Sequence, residues 1–326
     1  MSNFPKDNAL NLPFTGFCTF AKSPIVDDFD KLSADFAVIG VPFDMGTQYR
    51  PGARFGPRAI RQASTLFSFG HGGAYDHERD ILFLANNKVK IVDMGDVDII
   101  HTNCERSLDN ATKAVQHILK KGVVPVILGG DHAITAATLA AYKDFAPIHI
   151  LQIDAHLDFV DERQGVRYGH GNCMRRASEM KHITGLTQLG IRNVSSSNQK
   201  DFNEAKEAGS HIYSVRQYRS SDIEDILKTI PPDQNVYITI DIDGFDPSIA
   251  PGTGTPSHGG FLYYEVLELI EEVCKRHPIV GIDLCEVAPE YDPAEVTATL
   301  AAQLLMNVIG YVSYYSQPNY GVPQAG

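Results

Sequence analysis

Three apolar runs of strand length, each closing on acids or imidazoles, constrain the fold of this 326-residue chain more than any other feature. Ile148–Ile153 runs into Asp154-Ala-His-Leu-Asp158, Val124–Leu128 into Gly129-Gly-Asp-His132, and the run from Val236 ends on Asp241-Ile-Asp243. Runs rich in β-branched residues fit the buried strands of a parallel sheet covered on both faces. Residues two apart on a strand share a side, so the spacing predicts that Asp154, His156 and Asp158 converge at one strand end, and Asp241 with Asp243 at another. The C-terminal edge of a parallel sheet is where α/β proteins place their sites. Acids and imidazoles crowded there repel or desolvate one another unless a cation sits among them.

The rest of the chain alternates in the same manner. Strands are expected at 35–40, 89–92, 187–191, 211–214 and 279–284, and helices at 57–65, 104–121, 135–142, 173–180, 198–208, 222–229 and 264–277. A final helix opens at Pro293, with Val296, Leu300, Leu304, Leu305 and Val308 as core. Residues 70–87 read as a surface excursion and 244–260 as a long loop, a length that usually serves function. No repeat or composition break divides the chain. The expectation is one three-layer α/β domain on a mainly parallel sheet, residues 34–316, between an N-terminal arm (1–33) and a short tail (317–326).

Composition is ordinary for a globular protein, with 43% apolar and 21% charged residues. The balance of 28 basic and 40 acidic residues, −12, argues against a nucleic-acid surface and suits small cations or cationic substrates. Cys18, Cys104, Cys173, Cys274 and Cys285 form no CxxC pair, and an odd count suggests no disulfide framework. The polar start lacks the apolar segment of a signal peptide, and no apolar run approaches the roughly 20 residues that span a bilayer. A soluble, cytoplasmic protein with no membrane or nucleic-acid partner is expected.

His132, Asp154, His156, Asp158, Asp241 and Asp243 are six candidate ligands, enough for two bridged ions. Four carboxylates, two imidazoles and no thiolate disfavour structural zinc and favour Mn²⁺, with Ni²⁺, Fe²⁺ or Co²⁺ possible. Such a pair acidifies a shared water toward neutral pH. Arg50, Arg54, Arg58 and Arg61, around the Pro51–Pro57 turn cluster, can bind anions or form structural ion pairs. His258, in the long loop, has no assigned role.

The motifs Gly129-Gly-Asp-His132, Asp154-Ala-His-Leu-Asp158 and Asp241-Ile-Asp-Gly-Phe-Asp246 with Pro247 resemble the ureohydrolase (arginase/agmatinase) family, closest to bacterial agmatinase-like members. Ala250–Pro256, Pro51–Pro57 and Glu286-Val-Ala-Pro289 fit as well, and the likeness spans about 34–312. It implies an arginase-like fold, two Mn²⁺ per chain, a homo-oligomer (trimer or hexamer), and hydrolysis of a guanidino group to urea and an amine. By the same resemblance His132, Asp154, Asp158 and Asp241 hold one ion, and Asp154, His156, Asp241 and Asp243 the other. It also makes His170 the proton shuttle to the leaving amine, Glu286 the partner of the guanidinium, and Thr255 part of the substrate-facing loop.

Arginases carry an Asn where this chain has Val160, and Gly171-Asn-Cys-Met174 departs from many agmatinases, so arginine is disfavoured and agmatine is the best guess. Asp161 and Glu162 can meet a distal ammonium, while Arg163 and Arg167 can meet a carboxylate. Guanidinobutanoate, guanidinopropanoate and free guanidine therefore remain alternatives. A zinc deacetylase of the same general fold needs one ion and fewer acids, and a non-catalytic subunit typically loses ligands.

Overall fold

The computed structural model describes residues 12–69, 73–85, 89–145, 147–192 and 194–315. The start of the expected arm (1–11), the tail 317–326 and His71 lie outside them. The strands are β1 (Phe36–Val41), β2 (Ala74–Asp76), β3 (Ile81–Phe83), β4 (Ile91–Asp96), β5 (Val124–Gly129), β6 (Ile148–Ile153), β7 (Ile183–Leu189), β8 (Ser210–Tyr213), β9 (Asn235–Asp241) and β10 (Ile279–Cys285). The helices are α1 (Gly56–Ser64), α2 (Cys104–Lys120), α3 (Ile134–Ala140), α4 (Cys173–Ser178), α5 (Gln199–Glu207), α6 (Val215–Ser220), α7 (Ile223–Leu227), α8 (Tyr263–Arg276) and α9 (Val296–Tyr315).

Eight strands form one sheet in the order β4-β1-β5-β10-β9-β6-β7-β8, every pair parallel, with helices flanking it. β1, β5, β6 and β10 are buried along their whole length, which explains why they read as apolar runs without alternation. The last strand in sequence, β10, slots between β5 and β9, so the three motif-bearing strands and β10 lie side by side at the centre. Helix α2 shows the local logic. Asn103 accepts the Arg106 N–H as an N-cap, and Ala111, Ala114, Val115, Ile118 and Leu119 bury one stripe.

Several expectations need correction. The 70–87 stretch does lie at the surface, but its described residues form the β2–β3 hairpin, anchored by Phe83, which is buried edge-on against Tyr311 of α9. Helix α6 escaped notice because it is one short turn, marked only by the Ser214/Gln217 capping box. Helix α9 starts at Val296, three residues past Pro293, and Val296 is exposed instead of core. α9 is also apolar and long enough to cross a membrane, but 72% of that window is buried inside the protein, so it serves as a core helix.

The strand-end geometry differs too. β6 stops at Ile153 and β9 at Asp241, so the motif acids do not alternate along strands. Asp154 Oδ1 accepts the His156 N–H at 2.6 Å, and Asp241 Oδ1 accepts the Asp243 N–H at 2.9 Å. Each Asp side chain captures the backbone two residues on and bends the chain out of the ladder. Ile242–Gly244 then forms a single 3₁₀ turn, and Asp158 adopts φ +52°.

Candidate metal centre and its cavity

The four central strands deliver their ends to one point. Beyond β5, Gly130 passes so close to Phe43 that a Cβ would lie 1.8 Å from its carbonyl oxygen, which explains the Gly pair as close packing. Asp131 turns away from the site and accepts N–H bonds from Gly46 (2.7 Å) and Ala133 (3.1 Å). Burial, with Glu286 nearby, raises its pKa to about 7.

His132 points inward. Its Nδ1 lies 3.0 Å from Asp154 Oδ2, 3.0 Å from Asp158 Oδ2 and 3.6 Å from Asp241 Oδ2. His156 Nδ1 lies 3.1 Å from Asp243 Oδ2 and 3.5 Å from Asp154 Oδ1. The six expected ligands are thus all together, in two overlapping groups that share Asp154 through its two oxygens.

The hydrogen-bond network assigns the His132 tautomer. Asp283, buried at the centre of β10, accepts hydroxyl protons from Thr239 (2.6 Å), Tyr237 (2.7 Å) and Thr135 (2.9 Å). The single Thr239 proton is therefore given to Asp283, and Thr239 Oγ1, 2.8 Å from His132 Nε2, must accept from that nitrogen. Nδ1 is then the ring atom aimed at the carboxylates; burial opposes charge on His132, yet Cys173, Asp154 and Asp158 hold its pKa well above the ordinary imidazole value, so a second proton sits on Nδ1 when no ion does. A ring with Nε2–H fixed by Thr239 offers Nδ1 to a divalent ion once that proton leaves, and acids crowded around it need a cation there, so the donor set fits a metal. The second imidazole agrees. Burial opposes charge on His156, yet Asp243 and Asp154 hold its pKa at about 12, so a proton sits there when no ion does.

His170 Nδ1 and Glu286 Oε1 are 3.0 Å apart, and the same oxygen accepts the His132 backbone N–H at 3.0 Å. Burial lowers the His170 pKa, but the Glu286 hydrogen bond and charge outweigh it and lift it to about 9, so the ring is protonated at neutral pH. Glu286, like Asp158, is one of the few non-glycine residues at positive φ (+66°), a strained conformation that clusters at functional sites. Burial disfavours the Glu286 charge, while His170 pulls its pKa below the usual range.

A cavity of about 540 Å³ opens over this centre, with Asp158, His156, Asp241, His170 and Thr255 among its walls. Thr255 Oγ1 donates to Asp243 Oδ2 at 3.0 Å. Glu286 lies behind His170 and is not part of the wall. Asp161 and Arg167, expected to meet substrate, are not wall residues either: they pair with each other at 3.2 Å, Asp161 also with Arg176 and Arg167 with Glu179. Local charge balance on the loop claims both. The turn-cluster arginines are likewise structural for the most part. Arg61 pairs with Asp93 and Asp96, Arg54 with Asp44, and Arg50 donates to the carbonyls of Gly254 and Thr253, while Arg58 is exposed.

Two contributors had no sequence-level assignment. Cys173 Sγ donates to Asp158 Oδ2 at 3.3 Å, and only its place three residues past His170 hinted at that. Arg192 donates to six backbone carbonyls, of Gly190, Asp243, Gly244, Phe245, Ser257 and His258, tying the Asp243 turn to the long loop. His258 enters this clamp through its carbonyl, and its side chain is exposed.

Comparison with known proteins gives concordant matches. The Arginase family model matches residues 34–310. Guanidinobutyrase from Pseudomonas aeruginosa is 33% identical over 306 residues, 91% of this chain and 92% of that protein. Agmatinase from Bacillus subtilis is 35% identical over 289 residues, 86% and 92% of the two. The solved structure of proclavaminate amidino hydrolase from Streptomyces clavuligerus superposes with a TM-score of 0.83 at 31% identity, covering 92% of this chain and 98% of that one.

Proposed function

The chain belongs to the arginase family, a family of binuclear-metal hydrolases acting on guanidino C–N bonds, and on that premise we propose how its own residues carry the reaction. The observation that supports the reading is the convergence of four carboxylates and two imidazoles, with His132 Nδ1 aimed at Asp154, Asp158 and Asp241. His132, Asp154, Asp158 and Asp241 would hold one ion and Asp154, His156, Asp241 and Asp243 the other, with Mn²⁺ preferred by the oxygen-rich donor set. When bound, such a pair supplies a water acidified to near neutral pH as the nucleophile toward the guanidino carbon.

The remaining work falls to the chain. Thr255 steadies Asp243 through its hydroxyl, and Cys173 steadies Asp158 through its thiol. Glu286 Oε1 fixes the His170 ring through Nδ1, leaving the Nε2 proton for the departing amine. Cleavage of the C–N bond then leaves urea and a protonated amine.

The sequence ranks agmatine above arginine through Val160, and relatives named agmatinase and guanidinobutyrase make agmatine and 4-guanidinobutanoate the reference substrates. A cytoplasmic homo-oligomer, trimer or hexamer, completes the proposal, with residues 34–316 as its catalytic domain. Metal analysis together with urea release tests the core of it. Asp154→Ala and Asp241→Ala should lose metal and activity together while still folding; two ions retained in both variants would refute the ligand assignment.

A further inference from the structure

The cavity is charged in two zones. Among the described residues its floor carries every acid of the wall, Asp158 and Asp241, whereas the outer wall is made of Gln48, Tyr49, Arg50, Arg163 and Ser195–Ser197 and holds no carboxylate. A substrate seated with its guanidino group at the floor therefore presents its far end to two arginines and a row of hydroxyls.

The two arginines differ in what they have left to offer. Arg50 spends Nε and Nη2 on the carbonyls of Gly254 and Thr253, each at 2.9 Å, and its guanidinium stacks 4.3 Å over the Tyr291 ring. Arg163 stands at the first position of a tight turn, with reciprocal 2.9 Å hydrogen bonds to Val166 and positive φ at Gln164 and Gly165. Its Nη1 donates to Gln48 Oε1 at 2.8 Å and its Nη2 to the Ser196 carbonyl at 2.5 Å. Both acceptors are neutral. Among the described residues Arg163 makes no ion pair, while Arg167, Arg175 and Arg176 all pair with acids. An arginine oriented by neutral acceptors, with three of its five N–H groups uncommitted, is built to receive a planar anion.

We propose that Arg163 reads the distal end of the substrate, and that the preferred substrate class is an ω-guanidino carboxylate. This rests on the amidinohydrolase reading and deepens it. The terminal ammonium of agmatine, or the α-ammonium of arginine, finds no acid on the outer wall and faces Arg163 instead. Asp161 and Glu162, the acids that could have met an ammonium, are absent from the cavity wall.

The test uses the full-length, Mn²⁺-loaded protein, with urea release measured for 4-guanidinobutanoate, 3-guanidinopropanoate, agmatine and arginine. One of the two acids should exceed agmatine in kcat/KM by about 10-fold or more, the range expected of a charge-assisted hydrogen bond. Arg163→Gln should lower kcat/KM for that acid about 10–100-fold, chiefly through KM, and raise that for agmatine, whose ammonium no longer faces a cation; Arg163→Glu should reverse the preference. Inhibition by the matching amines, 4-aminobutanoate against putrescine, should follow the same split without any turnover of the inhibitor. Thermal unfolding of both variants should match the wild type, since the side chain sits at a loop tip. Agmatine as the better substrate, with neither variant altering the ratio, overturns the inference while urea release leaves the amidinohydrolase reading standing. No urea from any of the four compounds overturns that reading itself.

Discussion

Thr239→Val isolates the relay that sets the His132 tautomer. The change keeps the shape of the side chain and removes one hydroxyl, which accepts from His132 Nε2 at 2.8 Å and donates to Asp283 Oδ1 at 2.6 Å. The His132 N–H is then buried without a partner, at a cost of about 1–3 kcal/mol. The ring can escape that cost by shedding the Nε2 proton and keeping the one on Nδ1, where Asp154 and Asp158 wait at 3.0 Å, but this blocks the atom that would bind metal. The penalty therefore falls on ion binding. Losing such a supporting contact typically weakens a metal site by about 10–100-fold, equivalent to about 1.4–2.7 kcal/mol, in line with the hydrogen-bond estimate. Thr135→Val is the matched control, because its hydroxyl also donates to Asp283, on Oδ2 at 2.9 Å, without touching His132. Both variants should lose similar folding stability, and only Thr239→Val should weaken Mn²⁺, measured by calorimetric titration of chelator-treated protein and by recovery of urea release. A Thr239→Val dissociation constant within twofold of wild type, or equal weakening in Thr135→Val, would refute the tautomer argument.

Two further outcomes follow from other histidines. His170→Ala should retain both metal ions but slow kcat by roughly 10²–10⁴; in the wild type kcat/KM should fall as pH rises through about 9, where the ring loses its proton, and that limb should vanish in the variant. For His149, burial, reinforced by His211 and His277, depresses the pKa to about 4, below the unfolded value near 6.5. The unfolded chain thus binds the extra proton between those values, so the contribution is complete above pH 6.5 and lost as pH falls toward 4, up to about 3 kcal/mol. Denaturant unfolding at stepped pH should show this loss, and His149→Gln, which can still reach Thr187, should flatten it.

The donors of the metal centre were legible in the chain because local physics writes them there. Parallel-strand burial produces continuous apolar runs, and such a run stops where the polar residues of the site begin. What the chain does after the strand is not written in its alternation. Alternation suggested same-side projection for Asp154, His156 and Asp158, but Asp154 takes the His156 N–H and the backbone leaves the ladder. The ligands still meet, by turns instead of pleats. The arginines of the loop after Asp158 illustrate a harder limit: Arg163 and Arg167 are equivalent in sequence, yet one lines the cavity and the other is neutralised by Asp161 and Glu179.

By itself the sequence determined the alternation, a mainly parallel sheet and the chemical identity of six candidate ligands, since these depend on periodicity and on the turn chemistry of neighbouring residues. Only the tertiary structure decided that β10 enters between β5 and β9, bringing Glu286 to the backbone of His132 across 154 positions and Asp283 to Thr239 across 44. Strand order is set by how whole helices and strands share one core, and no local pattern encodes it. The proton on His132, the strained φ of Asp158 and Glu286, the Arg192 clamp and the charge at the cavity mouth all depend on that order.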